Sequence, residues 1–140
     1  MFKFNIKIMS VLIQVKTETL MGDIGKELRV FFPSVNFQLT SKQEETRTYI
    51  TISYTDGVSK MRVRNIARQF AYSYPSGGEM IRVHILIERK MSDTVQSKLL
   101  NEMKSVWKVK GNLHIDDHFE PIGGTVKSYV QKIFDMRDFD

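Results

Sequence analysis

The chain has 140 residues, 41% of them hydrophobic and 26% charged, with no cysteine and a formal net charge of +5. That length suits one ordinary domain able to bury a core without staples, and the composition excludes a wholly disordered chain. Lack of cysteine excludes disulfides, thiolate metal sites and thiol nucleophiles, and makes a reducing cytosol the expected compartment. The basic excess lies in the first half: residues 1–70 carry eleven Lys and Arg against six Asp and Glu, residues 71–140 ten against ten.

Phe2, Phe4, Ile6 and Ile8 alternate with other residues and read as a strand. Lys3, Lys7 and Lys16 break the apolar run from Met1 to Val15, so neither a signal peptide nor a membrane span is expected there. From Thr17 to Phe32, Leu20, Ile24, Leu28 and Phe31 recur at helical spacing. Thr17 or Thr19 would cap this helix, Gly22 weakens it, and Pro33 ends it.

Val35, Phe37 and Leu39 predict a half-buried strand, followed by a polar turn over Ser41–Glu45. Arg47–Tyr54 alternates again, with Ile50, Ile52 and Tyr54 on one face and Tyr49, Thr51 and Ser53 on the other. Asp56-Gly57 is a turn signal, because glycine tolerates the positive φ that tight turns need. Ser59 then opens a helix to about Ala71 with Val63, Ile66, Ala67 and Phe70 buried. Tyr-Pro-Ser-Gly-Gly within Ser73–Gly78 reads as a loop.

Ile81, Val83, Ile85 and Ile87 predict a strand, and Leu86 on its second face suggests that it lies deep in the sheet. Ser92 and Asp93 start a helix lined by Val95, Leu99, Leu100, Met103 and Val106, with Gly111 as its stop. An extended piece, Asn112–Asp116, follows. Thr125 caps a last helix carrying Val126, Tyr129, Val130, Ile133 and Phe134. The expected fold is one α+β domain over residues 1–140: an antiparallel or mixed sheet of four to five strands covered by three to four helices. Leu28, Phe37, Ile52, Ile66, Phe70, Val83, Ile85, Leu99 and Ile133 are its expected core.

Three groups of residues bear on chemistry. His114, Asp116 and His118 are a metal-ligating set in type. If extended, however, the two histidines lie roughly 13 Å apart by the strand rise, so a polar surface loop is the preferred reading and no metal is expected. Lys60, Arg64 and Arg68 share one side of a helix, with Arg62 on the opposite flank. That face is either simply solvated or a contact surface for phosphates. Among the aromatics, Tyr49, Tyr72 and Tyr74 are the exposed stacking candidates. The expected binding residues are Lys60, Arg62, Arg64, Arg68, Tyr72 and Tyr74. No phosphate-binding loop or nucleophile elbow occurs, so a binding protein without cofactor is expected rather than an enzyme.

Phe32-Pro33-Ser34-Val35-Asn36-Phe37, then Ile50 through Gly57, then Val63-Arg64-Asn65-Ile66 with Phe70, resemble a domain of large polyvalent proteins from phages and conjugative elements. Val83–Ile87 followed by Glu88-Arg89-Lys90-Met91-Ser92 fits the same pattern, so the resemblance covers about residues 23–92. It carries no catalytic residues. It implies a mobile-element setting and, with the uneven charge, a partner that is a host protein or nucleoprotein, foremost a defence nuclease such as a CRISPR effector. Direct nucleic-acid binding through the helix at 60–70 is the alternative. The oligomeric state is left open.

Overall fold

The computed structural model describes the backbone of residues 2–139 and the side chains of residues 10–139. The chain forms two compact units: Met1–Tyr54 with Lys60–Glu88, and Thr55–Ser59 with Arg89–Asp140. The architecture is α+β, as expected, with four helices, a four-stranded mixed sheet and a two-stranded ribbon.

The first unit opens with α1, Phe2–Phe31. The strand expected at Phe2–Ile8 is therefore helix. Ile13, Thr17, Leu20, Ile24 and Leu28 form its buried stripe at steps of three and four residues. No proline or glycine precedes Gly22, so a helix nucleated along that stripe propagates toward the N-terminus at little cost. Thr17 and Thr19 are not caps. They sit mid-helix and donate to the carbonyls of Ile13 at 2.7 Å and Val15 at 3.0 Å. Pro33 does end the helix, but the ring turned inward at that end belongs to Phe32, while Phe31 is 53% exposed.

β1, Gln38–Glu44, and β2, Arg47–Thr55, pair antiparallel from Gln38↔Ser53 to Glu44↔Arg47. The polar stretch expected to turn from Ser41 is thus strand to Glu44, and only Glu45 and Thr46 reverse the chain, Glu45 with φ of 51°. α2, Lys60–Ala67, runs into a short 3-10 turn, Arg68–Phe70, earlier than the expected end at Ala71. β3, Ser73–Ser76, and β4, Glu79–Lys90, form a hairpin where a loop was expected. Gly77 and Gly78, at φ of 59° and 85°, supply the left-handed pair that a two-residue hairpin turn needs, and so convert a loop signal into a strand reversal.

The sheet order is β1-β2-β4-β3. Arg82 N–H donates to Thr46 O at one end and Asp56 N–H to Lys90 O at the other, so β2 and β4 run parallel. Thr48, Ile50, Ile52 and Tyr54 of β2 point into the core with Ile81, Val83 and Ile87 of β4, against the stripes of α1 and α2. The opposite face of the sheet is not covered in this way. Leu86 is 48% exposed, which corrects its placement deep in the sheet. Of the expected core, Leu28, Ile52, Val83 and Leu99 are buried, whereas Phe37, Ile66, Phe70, Ile85 and Ile133 are half-buried.

The second unit packs α3, Asp93–Val106, on α4, Val126–Met136. Ser92 caps α3 by accepting from Val95 N–H at 3.2 Å, and Thr125 caps α4 by accepting from Ser128 N–H at 3.2 Å. Val95, Leu99, Met103, Val126, Val130 and Phe134 form the core. α3 ends at Val106, not near Gly111, and Val106 is 70% exposed. Trp107 follows it and meets Phe119 and Tyr129 edge-on at 5.9 and 6.4 Å. Residues expected as an extended piece instead turn at Ile115 and Asp116, ahead of the ribbon β5, His118–Phe119, and β6, Gly124–Thr125.

Arg89 ties this unit together. Its guanidinium donates to the carbonyls of Asp56 at 2.6 Å, Gly57 at 3.1 Å, Phe134 at 2.6 Å and Arg137 at 2.8 Å. It also lies 3.8 Å from the Phe134 ring centroid. Asp56 Oδ1 accepts from Ser92 N–H at 2.8 Å, and Asp138 Oδ1 from Ser59 N–H at 2.7 Å. Segment 55–59, the start of α3 and the end of α4 are thereby joined. No described helix is long and apolar enough to cross a membrane.

Two outcomes follow from this packing. A Cβ at Gly22 would meet nothing within 4 Å, so Gly22→Ala should stabilise by about 0.5–1 kcal/mol, read as a raised melting temperature; an unchanged or lower one would contradict the placement of Gly22 in mid-helix. Arg89→Met removes four hydrogen bonds, leaving the Gly57 and Phe134 carbonyls to Phe139 N–H and Arg137 N–H alone, and should cost roughly 2–4 kcal/mol, with faster amide hydrogen exchange in residues 126–136. Exchange at the wild-type rate would show that the guanidinium does not hold α4.

Candidate functional site

Lys60 and Arg64 lie on α2, and Arg68 opens the 3-10 turn that continues it. Lys60, Arg64 and Arg68 are exposed and follow one another every four residues, a spacing of roughly 6 Å along a helix. The buried stripe of the same segment, Val63 and Ala67, holds the helix down and so fixes which side faces water. Among the described residues these three cations make no ion pair. Arg62 leaves the stripe: its guanidinium lies over the Phe32 ring, 5.2 Å from the centroid.

The two tyrosines separate. Tyr72 is 41% exposed and Tyr74 only 7%, with their rings 5.6 Å apart. Alternation along β3 decides this, since Tyr74 pairs with the buried Ile81. Tyr74 is therefore not an open stacking surface, contrary to expectation. Lys16 Nζ lies 4.1 Å from its ring centroid, and its hydroxyl finds no hydrogen-bond partner among the described residues. Burial pushes the Tyr74 phenol above its ordinary pKa, and Tyr72 adds to the rise.

His114, Asp116 and His118 do not converge. The chain turns, as a shared ion would require, but Asp117 closes that turn: its Oδ2 accepts from His114 N–H at 3.0 Å, and its own N–H donates to His114 O at 3.0 Å. His118 instead faces Glu120 at 3.5 Å. Among the described residues no group of three or more His, Asp or Glu is placed to hold a metal ion.

Sequence reading missed a second surface in the same unit. On the uncovered face of the sheet, Tyr49 of β2 and His84 of β4 stack with centroids 5.3 Å apart and planes at 21°. Lys42 of β1 lies directly opposite Tyr49, and Glu44 opposite Arg47. The bond from Arg82 N–H to Thr46 O sets Arg82 beside Arg47. Lys42 binds Glu44 at 2.8 Å; that hydrogen bond and the paired charges raise the lysine's pKa and lower the carboxylate's. The outward alternation of Tyr49 and His84 was legible in the sequence. Their adjacency depends on the parallel pairing of β2 with β4, which no local pattern announces.

A scan of protein families matches residues 15–137 to large polyvalent protein associated domain 29. The chain belongs to that family. The match extends beyond the stretch 23–92 that suggested it and takes in the last third of the chain to residue 137. No curated protein and no solved structure matches the chain. In this polyvalent-protein domain the cationic face of α2 and the ring-bearing sheet face both lie in the N-terminal unit.

The raised Tyr74 pKa has a sign that can be checked. Folding favours the neutral phenol, so its contribution to stability is complete below the ordinary value of about 10 and is lost as pH climbs through the raised one. Ultraviolet titration should show phenol ionisation continuing above the ordinary range, and Tyr74→Phe should diminish that late step. Loss of the late step in Tyr72→Phe instead would reassign it.

Proposed function

We propose that this polyvalent-protein domain acts by binding rather than by catalysis, and that its target is a host defence nucleoprotein, with a CRISPR-type effector nuclease the leading candidate. The observation that supports this most is the α2 face: Lys60, Arg64 and Arg68, in line, exposed, and without ion pairs among the described residues. Such a face presents charge to a partner without first breaking contacts of its own. The nucleic-acid channel of such an enzyme is itself positively charged, so a cationic face fits the exposed phosphates of the guide or target that the nucleoprotein carries, and charge complementarity with them sets both approach and register. The mobile-element setting implied by the resemblance supplies the need for such an inhibitor. The protein is expected to work in the host cytoplasm, without a cofactor.

Direct binding of nucleic acid by the same face is the second reading, favoured by the same three cations. Its signature differs. Three phosphate contacts would give a log–log salt slope near −2 to −3, and changing all three residues to Glu would abolish affinity for any duplex sequence.

The test uses a purified, guide-loaded effector nuclease and the full chain. Wild-type protein should suppress cleavage near stoichiometric amounts, and the triple variant K60E/R64E/R68E should need about tenfold more or fail. Free duplex DNA at near-physiological salt should bind only weakly. Submicromolar affinity for duplex, lost in the triple variant and unaccompanied by any nuclease inhibition, would replace the first reading with the second.

A further inference from the structure

We propose that the uncovered sheet face of the N-terminal unit is a binding site for single-stranded nucleic acid, with Tyr49 and His84 as the base-stacking platform and Arg47, Arg82 and Lys42 as the phosphate contacts. This site lies outside the α2 face and does not rest on the reading given there.

The central strands of a sheet covered on one side only present their outward side chains to water, and polar or small residues are the usual occupants. Here the middle of that face holds two rings, one from each central strand, stacked on each other at 5.3 Å. Along β2 the outward row runs Arg47, Tyr49, Thr51 and Ser53, and along β4 Arg82, His84 and Leu86, with His84 exposed and Tyr49 half-buried. Ser73, opposite Arg82 on the edge strand β3, is a small neighbour on the other side. Ring faces reached from solvent receive unstacked bases, because every base has a π-face to offer.

The charges fit the same ligand. Lys42 flanks Tyr49 directly, and Arg47 and Arg82 sit one two-residue step away along their strands, roughly 7 Å by the strand rise. Two like charges side by side on a sheet repel, and an anion between them relieves that repulsion. Glu44 is the carboxylate at this end, and it is engaged by Lys42 at 2.8 Å. Along the outward row of β4, Leu86 and Glu88 follow His84, and Lys90 ends the strand. Lys42, Arg47 and Arg82 are thus the cations beside the rings. A duplex hides its bases within the stack, so exposed ring faces favour single strands.

Fluorescence anisotropy on the full chain tests this with labelled twelve-nucleotide oligo(U) and oligo(dT), and with a duplex of equal length. The expected result is micromolar affinity for both single strands and affinity at least about tenfold weaker for duplex. Tyr49→Ala and His84→Ala should each weaken single-strand binding by about 5- to 150-fold, the range measured for loss of one base stack, while Tyr49→Phe should bind as wild type does. Arg47→Gln with Arg82→Gln should flatten the salt slope by about 1.4. Circular dichroism melts confirm that each variant is folded, and the conservative Phe variant decides the matter where an Ala variant is not. Single-strand binding that survives folded Tyr49→Ala and His84→Ala variants but is lost in K60E/R64E/R68E would place it on the α2 face and overturn the proposal. No binding to either single strand, equal binding to duplex, or affinity indifferent to folded Tyr49→Ala and His84→Ala variants would each overturn the proposal.

Discussion

The C-terminal unit is organised by one guanidinium. Segment 55–59 and residue 89 are far apart in sequence, and the end of α4 adds the carbonyls of Phe134 and Arg137. A helix C-terminus exposes such carbonyls, and a partly buried carbonyl without a donor is costly. Arg89 answers four of them with one planar, permanently charged group, and adds its face to the Phe134 ring. A lysine in the same place offers a point charge and no fork, so the substitution is not conservative. The carboxylate contacts of Asp56 and Asp138 depend on the chain course that this group fixes.

The N-terminal unit follows a different logic. Its sheet is covered on one face by α1 and α2, and the helix stripes match the inward residues of β2 and β4. What remains outward is free of packing duties. A lone exposed aromatic needs no explanation, but two stacked rings among cations in the centre of a sheet do. The cationic side of α2 is free in the same sense, since its register is set by Val63 and Ala67. Both candidate surfaces are thus leftovers of the packing, and this is why neither disturbs the core.

Much of this was legible in the chain. Ser92 and Thr125 cap as their positions suggest, Pro33 stops α1, and the alternation over Arg47–Tyr54 gives both the strand and its inward face. Failures came where two patterns overlapped or where partners lie far off in sequence. Four apolar residues at alternate positions, Phe2 to Ile8, carry a strand signal that a neighbouring helical stripe outweighs. The Tyr-Pro-Ser-Gly-Gly stretch holds both a turn and the strand leading into it, and only pairing with β4 reveals the strand. Tyr74 looked exposed because its loop looked exposed. For the sheet-face site, each residue was readable as outward, yet their convergence rests on strand order, which periodicity does not encode.

Trp107 is the only tryptophan in the chain, and it stands at the end of α3 against Phe119 and Tyr129. Four of the five tyrosines, Tyr49, Tyr54, Tyr72 and Tyr74, lie in the other unit. The protein therefore carries a natural optical label on one side of its division: indole emission follows the C-terminal unit alone, whereas backbone ellipticity sums over both. Coincident transitions would mean that the two units unfold as one cooperative body, and separated ones that each has its own melting point.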